Sequence, residues 1–300
     1  MNGILLIDKP QGFTSFDVVA KMRGIAHTRK IGHSGTLDPM ATGVLPLLIG
    51  AATKACDILP CEDKAYRAGF KLGCSTDTQD STGKVLTTSE IRCSKEDIEA
   101  VIPQFIGDIM QIPPMYSAVS VGGKRLYELA HKGIEIEREA RPITVYSITL
   151  VEFDEDTQSG ILDIHCGKGT YVRTICHDIG LALGCGAMMT SLRRTMAAGF
   201  PLDQCIRLEE ANELSAMGML ADKLLPIDLV FDVYPALHFN EVQTKLYKNG
   251  IKLDLIRLGL TDESKEIYRI YDDQNNFLGL AKCRFETKEL IHYKNFSVNP

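Results

Sequence analysis

The chain has 300 residues, a formal net charge of −6 and 45% hydrophobic residues. That length suits about two domains of roughly 150 residues each, and no apolar run reaches the ~18 residues of a membrane-spanning helix. The nine cysteines are odd in number and none stands in a Cys-x-x-Cys pair, which argues against a disulfide framework or a zinc ribbon. The seven histidines form no His-x-x-x-His pair, so no metal site is expected. The N-terminus passes directly into Gly3–Ile7, without a basic start or a small-residue cleavage site, and a cytoplasmic location is expected. A charge of −6 at first opposes a nucleic-acid partner, but the acidity is uneven. Residues 201–235 hold seven acids and two bases, and residues 147–159 four acids and no base. Residues 1–50 hold five bases against three acids, and 160–200 four against two.

In chain order, Gly3–Ile7 reads as a short strand ended by the turn Asp8-Lys9-Pro10-Gln11-Gly12. Ser15 is expected to cap a helix from Phe16 to about Ala26, with Phe16, Val19 and Met22 at helical spacing. The stretch Ile31–Ile49 carries a single acid, Asp38, among Gly32, Gly35 and Gly43. Pro39 biases Asp38 toward an extended conformation. The segment reads as a bent loop presenting one carboxylate and feeding the buried strand Val44–Ile49. Taken alone, an Asp-Pro turn joining two elements is the commoner explanation. Ala51–Leu59 reads as a helix. From Tyr66 the chain alternates, with Tyr66, Ala68, Phe70 and Leu72 on one face and Arg67 and Lys71 on the other. A tyrosine opening such a face is most often core.

Gly73–Gly83 reads as a polar loop, and Ser94–Phe105 as a helix in which Ser94 and Asp97 form a box-like start. Residues 113–142 interleave five bases and four acids with Tyr116, Leu126, Tyr127 and Leu129. They suit either an exposed amphipathic helix or a mobile segment that closes on RNA. Ile161–Cys166 is a further strand. Thr170 is expected to cap the next helix, whose apolar stripe is Val172, Ile175, Cys176, Ile179 and Leu183 and which Gly184 ends. Arg173 lies off that stripe. Gly167-Lys-Gly lacks the spacing of a phosphate loop. Ser191-Leu-Arg-Arg194 adds two adjacent cations, by themselves surface arginines. An acidic, helix-like stretch runs to Asp228. After Tyr234-Pro235, short strands and turns such as Leu246–Gly250 and Asn275–Leu280 suit a small β-barrel.

Four motifs occur together: Leu6-Ile-Asp-Lys-Pro-Gln-Gly12, the Asp38 loop, Pro113-Pro-Met-Tyr-Ser-Ala118 and Gly169-Thr-Tyr-Val-Arg-Thr-Ile175. In that company the chain from about Gly3 to Thr195 resembles the TruB family, the bacterial tRNA pseudouridine-55 synthases. The C-terminal part resembles a PUA domain, an RNA-binding module. The resemblance implies an α+β pseudouridine-synthase fold, with a mixed, largely antiparallel central sheet flanked by helices and a small C-terminal β-barrel. It implies a catalytic domain over 1–232 and a PUA-like domain over 233–300. Tyr127–Gly133 matches the family's RNA-gripping insertion, placed here at about 113–142.

The resemblance also implies roles. Asp38 is the catalytic carboxylate, attacking ribose C1′ or removing a ribose proton. Arg173 is the cation that keeps it ionised against the effect of burial. Tyr66 stacks under the target uracil and helps shuttle the C5 proton. His33 fills the space that the flipped base vacates, Tyr171 and Leu192 line the pocket, and Lys9 lies near the site. The reaction is an isomerisation, so no cofactor or metal is expected. The implied partner is the T arm of tRNA, bound by a monomer with neither a guide RNA nor a membrane. A non-enzymatic RNA binder or tRNA-folding chaperone is the competing class, but such a protein gains nothing from an acid facing phosphates. A guide-dependent relative would carry a lysine-rich tail, which this chain lacks.

Overall fold

The computed structural model describes residues 1–297. The last three residues of the expected 233–300 unit lie outside the described residues. Gly3–Lys9 is buried at six of its seven positions and Thr42–Ile49 at seven of eight. Continuous burial of this kind suits strands covered on both faces, and the two pair antiparallel from Gly3↔Ile49 to Lys9↔Gly43. They start a sheet whose spatial order is Gly3–Lys9, Thr42–Ile49, Ala187–Ala197, Lys64–Leu72, Ser159–Cys166, Arg141–Asp154 and Gly107–Gln111. Every contact along that path is antiparallel except the short pairing of Arg193 and Arg194 with Thr42 and Gly43. The sheet is therefore mixed and largely antiparallel, as expected.

Lys64–Leu72 is the central strand, and its alternation is the expected one. Tyr66, Ala68, Phe70 and Leu72 are buried, and Arg67 and Lys71 are exposed. That buried face shares one core with Val172, Ile175, Cys176 and Ile179 of the helix Val172–Ala182. A second core joins Leu5, Ile7, Leu45 and Leu47 to Val18, Val19 and Met22 of the helix Ser15–Ile25.

Several local expectations are corrected. Thr14, not Ser15, caps the first helix. Its hydroxyl accepts from the Asp17 amide, and its own amide donates to the Asp17 carboxylate at 2.8 Å. The box at Ser94 and Asp97 forms as read, but the α-helix stops at Val101 and a 3₁₀ turn holds Pro103, which has no amide to continue the ladder. Ala51–Leu59 is a shorter 3₁₀ helix, Gly50–Ala55. Thr170 caps nothing: Tyr171 is the N-cap, without a side-chain cap bond. Residues 113–142 are not one amphipathic helix. They form a hairpin turning at Gly122-Gly123, both at positive φ, then a short helix, Leu126–Ala130, over a small core of Met115, Leu126 and Leu129.

The C-terminal sheet has five strands in the order Ala236–His238, Ile267–Tyr271, Phe277–Arg284, Glu289–Asn295, Leu253–Asp254. Its own core includes Phe239, Tyr247, Tyr268, Ile270 and Leu290. Leu246–Gly250, read as a strand and turn, is the end of the helix Glu241–Lys248. Phe231, Leu280 and Phe296 pack with Ile4, Leu6 and Leu48, which ties this sheet to the first strands of the large one. Among the described residues no helix is long and apolar enough to cross a membrane.

Candidate active site

The loop joining Ile31–His33 to Thr42–Ile49 has little backbone ladder of its own. Five consecutive residues in it are instead held by four side chains from four separate elements. Arg194, fully buried on the strand Ala187–Ala197, donates from Nη2 to the Gly35 carbonyl at 3.3 Å and from Nη1 to the Thr36 carbonyl at 3.4 Å. Its Nε holds the Val44 carbonyl at 2.7 Å. The Ser15 hydroxyl accepts from the Leu37 amide at 2.8 Å. Arg173 Nε lies 3.0 Å from the Asp38 carboxylate. Lys9 donates to the Pro39 carbonyl at 3.4 Å and to those of Pro10 and Phe13 at 2.9 and 2.6 Å. Gly43 closes the loop at φ +105°, where a Cβ would sit 2.1 Å from the Arg194 carbonyl oxygen. Only glycine permits both that angle and that approach.

Arg173 is 5% exposed in the first turn of its helix. Besides Asp38 it meets the Thr78 carbonyl at 3.2 Å, the Tyr116 carbonyl at 2.9 Å and Asp80 Oδ2 at 3.7 Å. Asp80 is itself buried, and its other oxygen accepts from the Thr78 hydroxyl at 2.8 Å and the Thr82 amide at 2.9 Å. One guanidinium thus joins two carboxylates and two backbone carbonyls. Asp38 is 37% exposed along its side chain, so one edge stays open to a ligand. Enclosure of the remainder raises its carboxyl above the ordinary carboxylate range; Arg173 opposes the rise most, Asp80 adds to it and Lys9 opposes it. The expected ionising effect of Arg173 is present, but burial outweighs it.

Tyr66 and Leu192 are buried in the same apolar cluster as Leu37. Burial pushes the Tyr66 phenol up to about 12, opposed chiefly by the neighbouring Arg194 guanidinium. Burial lowers His33, and Arg194 lowers it further against a backbone contact with Gly35. His33 is therefore a neutral imidazole at pH 7, and among the described residues its buried Nδ1 has no hydrogen-bond partner. Tyr171 is half-buried beside Arg173, its peptide clamped by Gln111, which accepts from its amide at 2.8 Å and donates to its carbonyl at 3.1 Å. Lys9 is enclosed, its ammonium turned to backbone carbonyls. Burial pushes it down to about 8, with Asp38 opposing.

Four residues that build this site carry no sign of it in the sequence. Asp80 is one acid in a polar loop, and Gln111 stands out in no pattern. Ser15 looks like a cap. Arg194 looks like a surface arginine, although it has the strand parity of Leu192 and so shares the buried face.

Residues 23–172 match the family model described as TruB family pseudouridylate synthase (N terminal domain). Residues 173–232 match that of the tRNA pseudouridylate synthase B C-terminal domain. The tRNA pseudouridine synthase B of Clostridium novyi (strain NT) is 45% identical over 281 residues, covering 94% of this chain and 95% of that protein. The protein of the same name from Pasteurella multocida (strain Pm70) is 41% identical over 286 residues, covering 94% and 91%. Among solved structures, a Cbf5-Nop10-Gar1 complex superposes at a TM-score of 0.70 and 24% identity, over 98% of this chain and 85% of the other. An H/ACA RNP bound to a substrate RNA containing 2'-deoxyuridine gives 0.71 and 22%, over 99% and 85%. At such identities the likeness concerns the fold, which is the expected α+β architecture with its C-terminal β-module. The matched models and the near full-length relatives place this chain in the TruB family of pseudouridylate synthases.

Proposed function

We propose that the chain isomerises uridine 55 in the T loop of tRNA to pseudouridine, as a monomeric cytoplasmic enzyme that needs neither a guide RNA nor a cofactor. The names of its relatives supply tRNA as the substrate, and the motif resemblance supplies the position. The observation that supports the reading most is the Asp38 carboxylate, open on one edge and 3.0 Å from a buried guanidinium on a loop fixed at every residue from Gly35 to Pro39. A protein that only bound RNA would have no use for a fixed acid facing phosphates.

The target uridine leaves its stack at a cost of a few kcal/mol. Neutral His33 occupies the space it vacates, and Leu192 and Tyr171 contact the base. Ionised Asp38 attacks C1′ or removes a ribose proton. The N1–C1′ bond breaks, the uracil turns and C5 bonds to C1′, which displaces the Asp38 oxygen or is followed by return of the ribose proton; the C5 proton leaves to solvent as N1 gains one. Nothing is oxidised or reduced. A phenol at about 12 stays protonated at neutral pH, so Tyr66 acts through its ring face under the base. Lys9 acts from behind the loop, through Pro39.

The test is Asp38→Asn, which keeps side-chain size and removes the charge and the nucleophile. Single-turnover tritium release from C5-labelled tRNA is expected to fall by at least about 10⁴-fold, with tRNA affinity retained. Modification by the native chain should map to position 55. A folded Asp38→Asn protein with near-native turnover, or modification mapped elsewhere, would overturn the reading.

A further inference from the structure

Ser15 stands one residue inside its helix, and because Thr14 takes the cap, the Ser15 hydroxyl is free for another partner. It is 1% exposed and turned across to the Asp38 loop. There it accepts from the Leu37 amide at 2.8 Å and donates to the Leu37 carbonyl at 3.4 Å. Leu37 is buried and lies outside every strand, and among the described residues neither its amide nor its carbonyl has a backbone partner. A buried amide without a partner is costly, so this one hydroxyl decides where the Leu37 backbone points. The next residue is Asp38.

We propose that Ser15 is a positioning residue for the isomerisation: by binding both polar groups of Leu37 it fixes the backbone from which the Asp38 carboxylate projects toward Arg173 and the reacting ribose. The chain of contact is short. Rotating the Leu37–Asp38 peptide swings the Asp38 Cα–Cβ bond, while Arg173 is held separately by Thr78, Tyr116 and Asp80 and does not follow. Pro39 is pinned on the far side by Lys9 and by the Gly12 amide at 2.8 Å, and Arg194 holds Gly35 and Thr36, so without Ser15 the Leu37 backbone, next to Asp38, is the part of the loop that loses its hold. The inference rests on Asp38 being the catalytic carboxylate.

Four variants test it on the full-length protein: Ser15→Ala, Ser15→Cys, Thr14→Ala and Asp38→Asn. Ser15→Cys nearly keeps the volume and weakens the hydrogen bonds, so it guards against a folding failure of the alanine variant. Thr14→Ala removes the cap of the same helix without touching Leu37. The readouts are the single-turnover rate at saturating T-arm RNA, the RNA dissociation constant and the melting temperature. Ser15→Ala should lower the rate at least about tenfold, as displacement of a reacting group does, with Ser15→Cys falling between it and the native chain. The dissociation constant should stay within about twofold, because no contact to RNA has been removed. Thr14→Ala should lower the melting temperature and leave the rate near native. Native rates in both Ser15 variants, or an equal loss of rate in Thr14→Ala, would overturn the inference. A dead Asp38→Asn protein beside a fully active Ser15→Ala protein removes this inference alone; an active Asp38→Asn protein removes the functional reading beneath it.

Discussion

Arg173→Lys keeps a positive charge and removes the fork. The native guanidinium uses Nε for Asp38, Nη1 for Thr78 and Asp80, and Nη2 for Tyr116, at 3.0, 3.2, 3.7 and 2.9 Å. A single ammonium cannot reach all of these directions. If it follows the carboxylates, the Thr78 and Tyr116 carbonyls lose a charged donor. Hydrogen bonds to charged groups contribute roughly 1.5–3 kcal/mol each, and water at the open edge of Asp38 recovers part of that. The expected cost is about 3 kcal/mol, at the lower end of what breaking a buried pair outright costs. Loss of the 3.0 Å contact also leaves Asp38 free to shift, which should slow the chemical step by about a hundredfold. Because Arg173 is the strongest influence holding the Asp38 carboxyl down, the variant's carboxyl should titrate higher still. Urea unfolding gives the first quantity, and single-turnover tritium release across pH the other two. A lysine variant within about 1 kcal/mol of native stability and within about threefold in rate would mean that charge alone matters and the fork does not.

Three further outcomes are expected. In its proposed role Asp38 is ionised, and its folded carboxyl is raised, so the acid limb of the single-turnover rate should lie above the ordinary carboxylate range; a limb at or below it would contradict the burial argument. By linkage the same group adds most to stability below its unfolded value, and that contribution declines as pH rises through the folded value. The stability of Asp38→Asn relative to the native chain should therefore improve across that window in urea titrations. Gly43→Ala should cost more than about 4 kcal/mol, since the new Cβ meets the Arg194 carbonyl at a φ that alanine avoids; a urea midpoint near native would refute the packing described.

The strands were legible because their alternation is a local property. Tyr66, Ala68, Phe70 and Leu72 declare a buried face within seven residues. The Asp38 loop declared itself through Pro39 and its glycines. What supports that loop was not legible, because it arrives from far along the chain: Arg194 is 156 residues from Asp38, and Asp80 is 42 away. No periodicity joins such positions. Arg194 also breaks the usual rule for arginine, being fully buried, and its partners are carbonyls, which every residue carries and no sequence marks. Ser15 misled for a different reason. Thr14 and Ser15 are both good caps, and only the geometry decides between them. Arg173 was found by its motif, but the sign of the Asp38 shift depends on enclosure, which motif and charge pattern do not give.

The charges around Asp38 also explain how an acidic chain can present a site suited to RNA. Lys9, Arg173 and Arg194 are all buried, and the carboxylates that face them are Asp38, Asp80 and, at Lys9, Asp17. With Lys64 beside Arg194, four cations stand against three acids, so the cluster carries a formal +1 inside a chain of −6. A charge in a low-dielectric interior is screened far less than one on the surface, so this small excess counts for more than the acids of residues 201–235, which lie mostly on exposed positions. Lys9, Arg173 and Arg194 are not free to swing out to phosphates, because each is committed to backbone carbonyls. They act as fixed charges. Their first effect is to hold the loop in one shape before any RNA arrives, so that no ordering cost falls on the chemical step. Their second is to oppose, in the case of Lys9 and Arg173, the rise that burial imposes on Asp38. Asp38 thus sits enclosed among cations whose hydrogen bonds go to the backbone.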